Sequence, residues 1–211
     1  MSDEPVIVHA DAQCIVVCKP SGLLAVPGRG EAGRDCLSER VRREFADALI
    51  VHRLDMATSG LMLLARGADA QRTLSIAFAR REVHKRYVAV VEGQLDTHEG
   101  EIDLPLAADW PNRPRQQVDA VRGRPSLTRY RVLEIDAAHN TTRLELEPVT
   151  GRAHQLRVHL LALGHPILGD ALYGSAEVHA AAPRLLLHAT SLRFTHPTSG
   201  EPMTFDSPPP F

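Results

Sequence analysis

Lysine is almost missing from this chain. Of its 24 basic residues, 22 are arginine, and only Lys19 and Lys85 are lysine. Codon usage in a GC-rich genome accounts for part of that excess. Chemically, it replaces point charges with planar forks suited to phosphates and base edges. Cysteine is scarce too. Cys14, Cys18 and Cys36 are odd in number and include no CxxC pair. That pattern argues against a disulfide framework and a zinc site, and fits a reducing, cytoplasmic setting. No apolar run approaches the ~20 residues of a membrane-spanning helix. The opening stretch, MSDEPVIVHADAQ, is acidic and lacks the basic and long apolar regions of a secretory signal. There is no GxxxxGK(S/T), no GxSxG and no GxGxxG after a strand. Nucleotide hydrolysis, serine-hydrolase chemistry and dinucleotide binding therefore lose their usual signatures. Internal repeats and low-complexity runs are absent as well.

What is there is ordinary in bulk and uneven in detail. A length of 211 residues allows one large domain or two small ones, and 44% apolar with 24% charged content is globular. The net charge is −2. Residues 110–131 hold six arginines (Arg113, Arg115, Arg122, Arg124, Arg129, Arg131) against Asp119, a local +5 that leaves −7 elsewhere. RREVHKR (80–86) is a second basic knot. CIVVCKP (14–20) reads as a strand ended by Pro20, and a long Gly/Pro loop follows over 21–35. Leu37, Val41, Phe45, Ala48 and Leu49 form one stripe, which predicts a helix over 37–49. A second helix is expected over 69–83 and a strand over 85–93. Residues 103–126, with four prolines, read as irregular; 126–136 and 141–149 read as a hairpin. Ala153, Leu156, Leu160 and Leu163 predict a helix over 151–164, ended by Gly164 and Pro166. A strand-rich stretch follows over 184–197. Strands and helices mix without βαβ alternation, so an α+β domain with a mixed, largely antiparallel sheet is expected. The proline-rich stretch is the best boundary candidate, but a single domain over 1–211 is the expectation.

HRLDMATSG (52–60) interrupts two apolar runs, ALIV (48–51) and LMLLA (61–65), with Asp55 at the hinge. An Asp there can cap a turn or pair with Arg53 at the surface. Held between core-forming runs, it can instead be a partly desolvated carboxylate that needs a cation. Such a group serves as a nucleophile toward a sugar carbon or as a base. Arg157 lies off the apolar stripe of its helix, with His154 on the same face. It is a solvent-facing arginine or the partner that keeps a carboxylate ionised. Tyr87 opens the run VAVV and is a core tyrosine or an aromatic platform with a proton-transferring hydroxyl. His154 and His159 are five apart rather than the four of HExxH, so no metal is expected. Residue pattern alone stops at a carboxylate site with an arginine-rich flank. It leaves an RNA-acting enzyme, a non-catalytic RNA-binding or ribosome-assembly factor and a sugar-acting hydrolase open.

Five ordered blocks carry a resemblance: KPSGLLAVPG (19–28), HRLDMATSGLMLLA (52–65), KRYVAVVEG (85–93), GRAHQLRVHLLALGHPILGDALYG (151–174) and LLLHATSLRFTHPTSGE (185–201). Together they resemble the RluA-type pseudouridine synthases over nearly the whole chain. DWPNRPRQ (109–116) is similar to the branch with dual specificity for 23S ribosomal RNA and tRNA. The resemblance implies the pseudouridine synthase catalytic fold, an α+β structure with a mixed, mostly antiparallel sheet, flanking helices and a central RNA-binding cleft. It implies one catalytic domain without an S4 domain, since the chain starts almost directly at the first block. It implies isomerisation of uridine in stem-loop RNA, with the base detached at N1, turned and rejoined through C5. Asp55 would be the catalytic aspartate, Tyr87 the stacking residue and proton acceptor, and Arg157 the partner of Asp55. Leu156 would pack on the base, and Arg53 would enter the stem vacated by the flipped nucleotide. His52, Arg113 and Arg115 are expected to contact RNA. No cofactor, metal or membrane partner is expected, and the expected state is a cytoplasmic monomer.

Overall fold

A computed structural model describes residues 4–211. The strands are β1 (Val6–Ala10), β2 (Cys14–Lys19), β3 (Ala48–Ile50), β4 (Ser59–Arg66), β5 (His84–Glu92), β6 (Glu99–Asp103), β7 (Leu106–Ala108), β8 (Gln116–Val118), β9 (Leu127–Asp136), β10 (Thr141–Pro148), β11 (Leu187–Thr195) and β12 (Pro202–Asp206). The helices are α1 (Leu37–Arg42), α2 (Gly67–Ala79), α3 (Gln155–Ala162) and α4 (Ala176–Ala180). Two compact units result. One comprises the chain up to Lys85 with His188–Pro210, the other Arg86–Leu187 with Phe211.

In the first unit β4 is the central strand. Its LMLLA run is buried at every residue, which explains a continuous apolar stretch in place of alternation. β2 runs antiparallel along one edge, from Cys14 opposite Ala65 to Lys19 opposite Gly60. The other edge is shared. β3 pairs antiparallel from Ala48↔Arg66 to Ile50↔Leu64, and β11 pairs parallel at His188↔Ser59 and Ala189↔Gly60. Gly60 has φ 110, and a Cβ there would run into the backbone of Ala189, so only glycine fits this junction. α2 closes one face through Ala70 and Leu74, packed with Val16, Leu63 and Phe194.

In the second unit β5, β10, β9 and β6 pair antiparallel in that order. β10 alternates: Thr142, Leu144, Leu146 and Pro148 are buried while the residues between them are more open. The open positions carry cross-strand ion pairs. Arg131 meets Glu145 at 2.9 Å, Arg86 meets the same carboxylate at 3.5 Å, and Arg129 meets Glu101 at 2.8 Å. Two of the six arginines in the basic segment are therefore engaged on the sheet surface.

The sheets are mixed and mostly antiparallel, as expected. Several boundaries differ. The helix expected over 37–49 ends at Arg42, because β3 is drawn into pairing with β4. The helix expected over 151–164 starts at Gln155, whose Oε1 accepts from the Arg152 N–H at 3.0 Å and holds residues 151–154 as a turn. That helix has no simple apolar stripe. Gln155 to Leu160 are all buried, whereas Leu161 and Leu163 are exposed. The stretch 103–126 contains the hairpin β7–β8, with Leu106 opposite Val118 and Ala108 opposite Gln116. Among the described residues no helix is long and apolar enough to cross a membrane.

Candidate active site

Asp55 sits on the connection 51–58 that joins the paired strands β3 and β4. It is partly buried and lies beside buried Leu54, while Arg53 is exposed. The connection is pinned from the 19–23 segment. The Lys19 ammonium, fully buried, donates to the carbonyls of Met56 (3.0 Å), Pro20 (2.8 Å) and Leu23 (2.8 Å). Three acceptors match its three N–H groups, which is what a buried ammonium requires. Gly22 N–H donates to Met56 O at 2.8 Å, and the Ser21 hydroxyl to Ala57 O at 2.6 Å. Thr58 N–H donates back to Asp55 O at 3.2 Å. On the other side, Leu63 N–H donates to His52 Nε2 at 2.9 Å, and the His52 ring stacks on Phe78 at 4.4 Å. Burial and the nearby Lys85 charge push the His52 pKa down to about 3, so the ring is neutral and accepts. Its described contacts are with the protein itself. At the end of the motif, the Ser59 hydroxyl and His188 Nδ1 lie 2.7 Å apart, both buried, at the β4–β11 junction. A carboxylate mounted this way is held on a rigid connection rather than on a strand.

Tyr87, Leu156 and Arg157 belong to the second unit. Tyr87 lies on β5 opposite Leu146 and is buried. Leu156 and Arg157 open α3, and both are buried. The Arg157 guanidinium donates through Nε to Asp170 Oδ2 at 2.8 Å and through Nη2 to Asp170 Oδ1 at 2.6 Å. Asp170 Oδ1 also accepts the N–H groups of Leu172 (2.9 Å) and Tyr173 (3.1 Å). Burial acts to raise the Asp170 pKa, but the Arg157 guanidinium and these N–H groups outweigh it and hold it below the usual range. Tyr173 adds a second tie. Its ring lies 4.9 Å from the Arg157 guanidinium and 5.3 Å from that of Arg115. Gln116 N–H donates to the Tyr173 hydroxyl at 2.8 Å, and the same hydroxyl lies in hydrogen-bond contact with His154 Nδ1 at 2.6 Å. Arg113 and Arg115 are exposed on the β7–β8 connection.

Sequence reasoning singled out Asp55, Arg157 and Tyr87 but gave no role to Lys19, Asp170 or Tyr173. The signals were present. Lys19 is one of two lysines and lies at the end of an apolar strand, and Asp170 follows Gly169 in an apolar stretch. Among the described residues one group, His9, Asp11 and Cys14, brings metal-type donor atoms within 4.8 Å of one another. Its bonding is that of a turn cap. Asp11 Oδ1 accepts Gln13 N–H (2.7 Å) and Cys14 N–H (2.8 Å), and burial with the Asp11 charge pushes the Cys14 thiol up to about 12.

Known proteins supply the family. The family described as RNA pseudouridylate synthase matches residues 13–162. The dual-specificity RNA pseudouridine synthase RluA of Escherichia coli (strain K12) is 54% identical over 206 residues, covering 98% of this chain and 94% of that protein. The protein of the same name from Pasteurella multocida (strain Pm70) is 49% identical, with 97% and 93% covered. The solved structure of human RNA pseudouridylate synthase domain containing 1 superposes with TM-score 0.82 at 31% identity, over 99% of this chain and 85% of that one. With this identity over nearly its full length, the chain belongs to the RNA pseudouridylate synthase family, in the RluA group.

Proposed function

We propose that this protein converts selected uridines to pseudouridine in stem-loops of 23S ribosomal RNA and tRNA, and that Asp55, Tyr87 and Arg157 carry the reaction. The pinned connection at Asp55 is the observation that carries the reading. A carboxylate on a loop tied down by Lys19, Ser21 and Gly22 keeps one position while RNA arrives. Relatives of about half identity named as dual-specificity enzymes support the two RNA classes.

A glycosidase usually needs a second carboxylic acid to protonate its leaving oxygen. Uracil departs as a delocalised anion and is never released, so one carboxylate suffices. Asp55 acts on the ribose as the N1–C1′ bond breaks. The base then turns, C5 bonds to C1′, the C5 proton is removed and N1 gains one. Tyr87 stacks on the uracil and receives the C5 proton. Arg157 is the cationic member of the set, its guanidinium fixed by Asp170. The substrate uridine must leave its stack, at a cost of a few kcal/mol. Arg53, exposed on the Asp55 connection, fills the vacated position, and Leu156 packs on the base. Nothing in the balance calls for a cofactor or a metal, because an isomerisation has no net redox or hydrolysis. The proposed catalytic domain spans residues 1–211. The three free cysteines are consistent with a cytoplasmic enzyme.

The test is tritium release from 5-tritiated uridine in a stem-loop RNA. Asp55→Asn is expected to abolish release while melting and RNA binding stay near wild type. Release within a few fold of wild type would overturn the assignment of Asp55.

A further inference from the structure

Trp110 is the chain's single tryptophan, and it is 65% exposed at the tip of the β7–β8 hairpin. A lone exposed aromatic is ordinary by itself, but it can serve as a contact platform where the element beneath it is rigid. Here it is. Asp109 N–H donates to Arg115 O and Arg115 N–H to Asn112 O, both at 3.0 Å. The Asn112 amide donates to the Asp109 carboxylate at 2.9 Å, and Gln116 N–H bonds the Tyr173 hydroxyl. The tip is thus closed on itself and anchored to Tyr173. The Arg113 guanidinium lies 3.6 Å from the centre of the indole. One face of the ring is covered by a cation, and the exposure belongs to the rest. In sequence Trp110 is followed by Arg115, Arg122 and Arg124, with Asp119 the only acid among them. The Asp119 carboxylate caps its own turn by accepting Val121 and Arg122 N–H groups at 2.9 Å. A partner suited to this surface is flat, and carries negative charge next to its flat part.

We propose that Trp110, backed by Arg113, is the stacking platform for one unpaired base of the substrate RNA loop, with the adjoining phosphates held by the neighbouring arginines. The platform rests on the proposed function and extends it from the reacting uridine to a second recognised base. Stacking on an aromatic side chain tolerates any base, while a closed stem offers no free face. The surface therefore selects loops over duplex rather than one sequence.

Because Trp110 is the only tryptophan, its emission reports the contact directly. The full-length protein is titrated with a uridine-containing stem-loop, with the same stem as a blunt duplex, and with polyglutamate. Saturable quenching by the stem-loop, weak quenching by the duplex and none by polyglutamate are expected. In turnover assays Trp110→Ala raises KM about tenfold with kcat within twofold, and Trp110→Phe recovers most of the loss. Unchanged emission at saturating stem-loop overturns the proposal, as does equal KM in wild type and Trp110→Ala. Quenching by polyglutamate alone assigns the surface to an acidic protein and also overturns it. Tritium release separates the two readings. Quenching that persists while wild type releases no tritium sinks the catalytic reading and leaves the platform standing.

Discussion

At the scale of single residues, the Arg157–Asp170 pair is the most vulnerable to substitution because it is the least exposed to water. The two side chains are 4% and 1% accessible and meet through two short hydrogen bonds. Desolvating both charges is costly, so such a pair is tolerable only when complete. Asp170→Asn removes this counter-charge from a buried Arg157, with an expected loss of about 3–5 kcal/mol of stability. It should also lower turnover, since Asp170 holds the guanidinium through two of its nitrogens. The pH dependence has a definite sign. The folded Asp170 pKa lies below its ordinary value of 3.8, so the ionised form is bound more tightly in the fold. That stabilisation is fully present above about pH 4 and drains away as pH falls through the folded value. Denaturant midpoints measured between pH 6 and pH 2, in wild type and Asp170→Asn, check this. The variant should start lower and decline less steeply. Parallel curves would show that another carboxylate dominates acid unfolding.

At the scale of elements, the β7–β8 hairpin and the start of α3 behave as one device, and Tyr173 is the joint. Its hydroxyl holds Gln116 of β8 and His154 before α3, and its ring lies near Arg115 and Arg157. Tyr173→Phe keeps the ring and removes both hydrogen bonds, at about 1–3 kcal/mol because the Gln116 N–H and His154 Nδ1 lose a partner. Faster amide exchange over 106–118 and a higher KM for stem-loop RNA, with kcat nearly kept, are expected. Unchanged exchange in the hairpin would separate the two elements. The same device shows where sequence reading runs out. Apolar runs and alternation made β4, β5, β9 and β10 legible: β4 is buried almost throughout, and β10 alternates between buried and more open positions. These patterns could not show that 103–126 holds a hairpin, since β7 and β8 are three residues each and are tied by tertiary bonds. α1 stops short of its expected second half because β3 pairs with β4, an interaction that local propensity does not contain. Asp55 was legible as a charge between apolar runs. Lys19 and Asp170 carried a signal of position but not of role, because a buried charge looks like a surface charge until its partners are known.

At the scale of the whole molecule, the question is how a chain of net charge −2 holds RNA. The charge is sorted rather than abundant. Arg129 and Arg131 neutralise glutamates across β9, β6 and β10, so the β7–β8 region with Arg113, Arg115, Arg122 and Arg124 carries most of what remains of the basic segment. A small number of phosphates neutralised implies a shallow salt dependence. The double substitution Arg113→Ala, Arg115→Ala should flatten the slope of log KM against log salt by about 1 to 1.5, at roughly 0.7 for each phosphate left unneutralised on single-stranded RNA. It should weaken both RNA classes alike, because phosphate contacts position without reading sequence. Target choice then falls to loop shape and to Trp110. Pseudouridine mapping of total RNA, with the gene deleted and with it restored, tests this division. Deletion should remove one 23S site and one tRNA anticodon-loop site together. Restoring Asp55→Asn should return neither, and restoring the double arginine variant should return both at reduced occupancy. If the arginine variant restored one class fully and the other not at all, the hairpin would be reading sequence, and the assignment of these arginines to phosphates would fall.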